Sequence, residues 1–226
     1  MIDCEIGERH VKRLLPLGLL LLVAGCAGHN IMAIDKVVTT NPGKNRLALV
    51  IHESPEFMAM TADRSMFLNA DVDKAYADGK RLVRESGLED PADRICRMMA
   101  AAMQNKYGLQ ANESAMIKAR SKKTDDMVRL ANGKDYVLDV ETEYWYFINK
   151  EHKQPLYFVK YIASLRIIDA TRGTTIGKSS CDYDTMKGGK PLVSYEKLVA
   201  DGGAYIKQSL DDAAAFCVDK FTGELQ

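Results

Sequence analysis

Neither sign of charge is in excess in this 226-residue chain, which sets 31 Lys and Arg against 31 Asp and Glu, with 4 His. A balanced chain projects no broad field, so nucleic acid finds no basic face to recognise and is not an expected partner. Long apolar runs are missing as well: nothing after Cys26 approaches the ~20 residues of a membrane-spanning helix. Catalytic signatures are absent in turn. Gly188-Gly189 and Gly202-Gly203 are not followed by the Lys-Ser/Thr of a phosphate loop, and there is no Gly-x-Ser-x-Gly elbow. His29, His52 and His152 lack metal-ligand spacing. Asn69, Asp71 and Asp73 open like a calcium loop, but Lys74 and Lys80 stand where Gly and a bidentate Glu belong, so the stretch reads as a helix entry. Met58, Met60, Met98 and Met99 have thioethers that suit copper(I), yet read more simply as core packing. Asp139, Glu141 and Glu143 read as one solvated strand face. We expect no metal, no cofactor and no enzymatic activity.

What is present begins with VKRLLPLGLLLLVAGC, Val11 to Cys26. A short basic start, an apolar run of about ten residues and a small-residue close are the order of a secretory signal, too short to remain as a membrane helix. Val23-Ala-Gly-Cys26 resembles the lipobox of bacterial lipoproteins, which implies an acylated Cys26 as the attachment to the membrane. Residues 1–25 are then the signal, 26–45 a lipidated Cys and flexible tether, and 46–226 a single periplasm-facing domain. Arg9, Lys12 and Arg13 leave together with Asp3, Glu5 and Glu8, so the balance survives processing. As a coil the tether would reach roughly 25 Å. Ala27 is not the Asp that holds enteric lipoproteins at the inner membrane, so the resemblance implies the outer membrane.

Periodicity supplies the fold. Arg46 to His52 reads as a buried strand, while Glu56 to Asn69 is Met-rich without a clean period. Val72, Ala75, Tyr76, Gly79, Leu82 and Val83 line one face of a helix over 71–85. Asp90 and Pro91 open a second helix that Gly108 ends, with Ile95, Met98, Met99, Ala102 and Met103 on one face. Residues 112–134 read as loop around one short helix near Met127. Strict alternation over Tyr136–Ile148 puts Leu138, Val140, Thr142, Tyr144 and Tyr146 inward. Matching that face to Tyr157, Val159, Tyr161, Ala163, Leu165 and Ile167 of the next strand places Glu143 across from Lys160. A third strand spans Thr174–Asp184, and Ser194 caps a final helix with Tyr195, Leu198, Gly202, Ile206, Leu210, Ala213, Cys217 and Phe221 in one stripe. The expected fold is α+β: a largely antiparallel sheet, helices packed mainly on one face, and a long C-terminal helix.

Two consequences follow from this register. Trp145, Phe147 and Phe158 point away from the core, either under the Met-rich segment or as an exposed aromatic patch for a partner or ligand. Export implies an oxidising compartment, where Cys96, Cys181 and Cys217 permit three pairings. The periodicity favours Cys181 with Cys217, both on core-facing parity, and leaves Cys96 a buried thiol; three reduced thiols are the alternative.

DYVLDVETEYWYF, YIASLRIIDATRGTTIGKSSC and the last helix with its Cys resemble a family of uncharacterised proteobacterial lipoproteins. The shared features are a Leu-Asp-Val-x-Thr-x-x-Trp strand, a hairpin ending in Cys and a C-terminal helix carrying Cys. The resemblance matches Cys181 and Cys217 and implies no activity. In topology the chain is more loosely similar to curli-channel and TolB amino-terminal type envelope domains. The expected function is a non-enzymatic lipid-anchored envelope protein that binds a partner in assembly or transport. The alternative is a carrier of a lipid or other apolar ligand. No signal for an oligomeric state is present. MIDCEIGERH is acidic and unlike a signal start, whereas translation from Val11 would give MKRLLPLGLLLLVAGC. Proteomic mapping of the precursor is expected to yield no peptide containing Ile2 to Arg9.

Overall fold

The computed structural model describes residues 34–41, 43–62, 72–150 and 155–225. The signal stretch, Cys26, His29, His152 and the Asn69–Asp71 stretch lie outside them. Eight strands form one sheet: β1 (Arg46–His52), β2 (Met58–Met60), β3 (Gln110–Ala111), β4 (Ile117–Ala119), β5 (Tyr136–Asn149), β6 (Leu156–Asp169), β7 (Thr174–Asp184) and β8 (Val193–Ser194). The path is β3-β1-β5-β6-β7, with β4 also on β1, β2 on β5 and β8 on β6. Pairings along β6 are antiparallel, and those of β1 and β2 are parallel. Among the described residues five α-helices pack with it: α1 (Ile34–Thr39), α2 (Val72–Ser86), α3 (Ala92–Tyr107), α4 (Thr124–Leu130) and α5 (Tyr195–Glu224).

Alternation divides the sheet into two faces. Leu47, Leu49, Ile51, Leu138, Val140, Val159, Tyr161 and Leu165 face the main core, together with α3 and α5. Ala48, Val50, Val137 and Ile168 face the other way and are covered by Met127 and Ala131 at α4. α4 is therefore the exception to helices gathered on one face. Residues 34–39, read from sequence as tether, form a helix whose Val37 and Val38 pack against the main core. β2, β3 and β4 have two or three residues each, too few to show a period, and were invisible in the sequence for that reason.

Polar side chains fix the turns. Arg46 holds both oxygens of Asp135 at 3.0 Å, tying the start of β1 to the entry of β5 and pulling that carboxyl below its ordinary range. Asp169 Oδ1 accepts from the backbone N–H of Thr171 at 2.9 Å and of Arg172 at 3.1 Å, shaping the β6–β7 turn. At α5, Ser194 Oγ accepts from Lys197 N. The helix is not one continuous stripe: Asp201, Gly202 and Gly203 have φ of 52°, 62° and 74°, which breaks it after its first turn. A Cβ at Gly203 would sit 3.1 Å from that of Ser86, so the break also seats α5 against the end of α2. Cys181 and Cys217 are joined by a disulfide with a Cα–Cα distance of 5.3 Å, bridging β7 to α5. Cys96 is a buried free thiol pushed up to about 12, chiefly by desolvation.

Gly79 sets the distance of α2 from the strand segment beneath it, since a Cβ there would lie 1.7 Å from the Phe57 carbonyl oxygen. Gly79→Ala is expected to cost about 3 kcal/mol as the helix is pushed off its seat. Gly223→Ala, where a Cβ meets nothing within 4 Å, is expected to gain about 0.5 kcal/mol. Urea unfolding midpoints at constant slope check both signs.

Candidate functional site

The face of the sheet opposite α5 has three zones along β5 and β6, and their order is set by one irregularity. The β5–β6 register shifts between Thr142 and Tyr144, leaving Glu143 as an extra residue. Before the shift Leu138, Val140 and Thr142 face the core, as strict alternation requires. After it, Trp145 and Phe147 face the core, and Tyr144, Tyr146 and Ile148 face outward.

Three expectations are corrected here, the first two by this bulge and the third by the register of the whole pair. Trp145 and Phe147 are buried, at 5% and 0% exposure, and form no surface patch. Trp145 donates from Nε1 to the Pro55 carbonyl at 2.6 Å, and its ring meets Phe57 edge-on at 5.1 Å. Phe57, Phe147 and Tyr157 continue this aromatic cluster inward. Phe158 alone of the three sequence candidates remains outward, half-buried and paired with Ile148. Lys160 lies across from Tyr146, not Glu143, and makes its ion pair with Asp182 on β7 at 3.2 Å.

The first zone is the small α4 cluster. The second is a charged belt missed by sequence reasoning. His52, at the end of β1, places Nε2 2.7 Å from Asp139 Oδ1, and both are buried. The other oxygen of Asp139 accepts from Arg166 Nε at 2.8 Å and also from Nη2. Arg166 Nη1 donates to the Lys122 carbonyl at 2.9 Å, and the Lys122 ammonium pairs with Glu141. One carboxylate thus balances a guanidinium and orients an imidazole, while the guanidinium ties down the loop entering α4. The belt lies under two open depressions that share Glu53. One, of about 370 Å³, is bounded by Pro55, Lys122, Glu141, Glu143 and Tyr144. The other, of about 910 Å³, lies between Asp90 and Asp93 at the start of α3 and Lys118 and Arg120 at β4. Among the described residues no cluster of His, Cys, Asp and Glu could hold a metal ion.

The third zone is mostly apolar. Tyr144 and Tyr146 of β5, with Phe158 and Ile162 of β6, form a strip that Ile148 continues, with Lys160 set among them directly across from Tyr146. Parallel pairing of β2 sets Met58 beside Tyr146 and Met60 beside Ile148, widening the strip by one strand. Tyr144 is 55% exposed, the most of any large hydrophobic residue described. Among the described residues no helix packs over this end of the face. The signal that could have found it was present: Glu143 is a charged residue in mid-strand beside aromatics on both parities, which a bulge reconciles.

Removing the shared carboxylate leaves a buried imidazole and a guanidinium without their acceptor. Asp139→Ala is expected to destabilise the domain by about 3 kcal/mol in urea unfolding. Glu141→Gln, whose Lys122 partner is solvent-exposed, is expected to cost under ~1 kcal/mol.

No protein-family model matches the chain, and no curated protein is similar to it. Solved structures give distant matches. A neuraminyllactose-binding hemagglutinin homolog from Helicobacter pylori is 8% identical with a TM-score of 0.39, over 81% of this chain and 84% of that one. PelC from Paraburkholderia phytofirmans, a dodecamer, is 11% identical with a TM-score of 0.32, over 80% and 89%. Lipoprotein GNA1162 from Neisseria meningitidis is 12% identical with a TM-score of 0.30, over 74% and 99%. Likeness at this level carries no argument about activity or partner.

Proposed function

We propose that this chain is a non-enzymatic envelope lipoprotein, anchored through an acylated Cys26 at the outer membrane and facing the periplasm. It engages a protein partner through the apolar strip on the outer face of the sheet. The observation that carries this reading is that strip: Tyr144, Tyr146, Ile148, Phe158 and Ile162, beside a charged belt and with no helix among the described residues packed over it. Aromatic side chains set around the Lys160–Asp182 ion pair fit the mixed apolar and polar make-up of a protein interface. A phenol ring presents apolar area at low entropy cost together with a polar tip, which suits Tyr144 and Tyr146 to such a surface. The lipobox resemblance supports the anchor. Among the described residues no helix is long and apolar enough to cross a membrane.

The carrier alternative is less well supported. An acyl chain needs an apolar cavity, and the space behind the hairpin is filled by Phe57, Trp145, Phe147 and Tyr157 in ring-to-ring contact. The larger depression is bordered by Glu53, Glu89, Asp90, Asp93, Lys118 and Arg120, a lining hostile to hydrocarbon.

Two measurements test this reading. Metabolic labelling with an alkynyl fatty acid is expected to mark the protein and to be lost in Cys26→Ser. Photocrosslinking residues at Tyr144 and Phe158, in intact cells, are expected to give discrete protein adducts, while one at exposed Lys197 gives none. Lipid adducts without protein adducts would favour the carrier, and adducts from neither position would remove the interface.

A further inference from the structure

We propose that β7 is the seam of a homodimer, in which two copies pair antiparallel, edge to edge, about a twofold axis through Ser180. β7 is the last strand of the sheet on its side and runs eleven residues, Thr174–Asp184, with no second neighbour among the described residues. The phase of its free groups can be read from the structure. Thr185 N donates to the Val159 carbonyl at 3.0 Å, which makes Val159 and Thr185 a hydrogen-bonded position of the β6–β7 ladder. Antiparallel ladders alternate, so Ser179, Cys181 and Tyr183 direct their backbone groups to β6. Lys178, Ser180 and Asp182 direct theirs away from it, into the open edge. The register is unbroken from Lys160↔Asp184 to Ile167↔Gly177, so this phase holds across the central part of the strand.

The side chains of the same three residues share the outward face, and they are self-complementary. Lys178 is exposed, lies directly across from Arg166, and has no acidic partner among the described residues. A like charge opposite it is unfavourable, and Lys178 itself meets no carboxylate among the described residues. Arg166 is already satisfied by Asp139. A twofold axis at Ser180 brings Lys178 of each copy across from Asp182 of the other, at positions where the outward backbone groups also meet. Two ion pairs and the open ladder are thus matched by one operation. On the opposite parity the bridge from Cys181 to Cys217 clamps α5 over β7, and Phe216, 39% exposed, lies 5.5 Å from the ring of Tyr183 along the same margin. In the pair both copies of α5 lie on one side of the joined sheet and both apolar strips on the other.

Asp182 already pairs with Lys160 at 3.2 Å, and Lys187 is the second competitor. Its ammonium donates to the Asp182 carbonyl at 3.3 Å and to the Asp182 carboxylate at 2.9 Å, which blunts the edge in the isolated chain. Pairing exchanges the first of these for a backbone N–H from the second copy.

Analytical ultracentrifugation of the detergent-solubilised full chain, with disulfide trapping, tests the seam. The wild-type chain is expected to sediment as a dimer. Ser180→Cys is expected to give a covalent dimer on oxidation, because the two positions face each other across the axis, whereas Ser164→Cys, one strand in on the same face, gives none. Lys178→Asp sets like charges across the seam and is expected to raise the dimer dissociation constant roughly tenfold. Adding Asp182→Lys restores the pairing with the signs exchanged. A chain that remains monomeric, with Ser180→Cys untrapped, would overturn the proposal and leave β7 as an edge guarded by Lys187. A dimer in which Ser180→Cys is not trapped and Lys178→Asp is without effect would overturn it as well, by placing the interface elsewhere.

Discussion

The long antiparallel pairing of β5 with β6 is the constraint on which the other elements depend. Both strands have fourteen residues, and together they bring the sheet's two ends within one hairpin. β1 and β2 attach to the free side of β5, β7 and β8 to β6, and α3 and α5 lie on the face these strands create. Because side chains alternate with period two, one extra residue in such a pair exchanges the faces of everything beyond it. Glu143 is that residue. Its insertion buries Trp145 and Phe147 and turns Tyr144 and Tyr146 out, so the composition of both the core and the outer surface at the hairpin end follows from one local shift.

The bulge also marks how far the sequence could be read. Up to Thr142 the inward set Leu138, Val140 and Thr142 was legible, as were α2, α3, the three long strands and the Ser194 cap, because each has a period longer than its irregularities. Beyond Thr142 both parities are aromatic, so alternation loses its contrast and cannot report a slip. The charge pairing differs for a separate reason: before the bulge the register already lies two residues from the expected one, so Asp139 meets Arg166 where Ser164 was expected, and Lys160 finds Asp182 on the next strand. Nothing in the sequence marks His52 as part of a charged belt, because one histidine carries no spacing. Its partner lies 87 residues on and is supplied by tertiary pairing alone. The break in α5 was hidden for a related reason. Gly202 fits a helical stripe as a small residue, and its positive φ has no counterpart in hydropathy.

The belt formed by His52, Asp139 and Arg166 separates two apolar regions with different fates. On one side Val50, Val137 and Ile168 are closed over by α4, whose approach is held by Arg166 through the Lys122 carbonyl. On the other side no helix among the described residues covers the tyrosine strip. Both regions belong to the same pair of strands, so the difference comes from the connection. Residues 112–134 return to the sheet at the β1 end, and their length is spent on β4 and α4 before β5 begins.

The two edges of the sheet are treated differently as well, and this asymmetry bears on association. Beside β1 the edge is broken into β3 and β4, two and three residues long, with a short 3-10 turn between them. Short, interrupted edge strands offer little for another chain to pair with. The β7 edge is continuous over eleven residues and lacks proline or a bulge in its central part. Its lysines repel indiscriminate partners, but Lys178 and Asp182, four residues apart on one face, are repulsive only to strands that do not present the same pattern in reverse. A strand with that spacing discriminates by sign: a uniformly basic or acidic edge opposes one of its two charges, whereas its own copy pairs both.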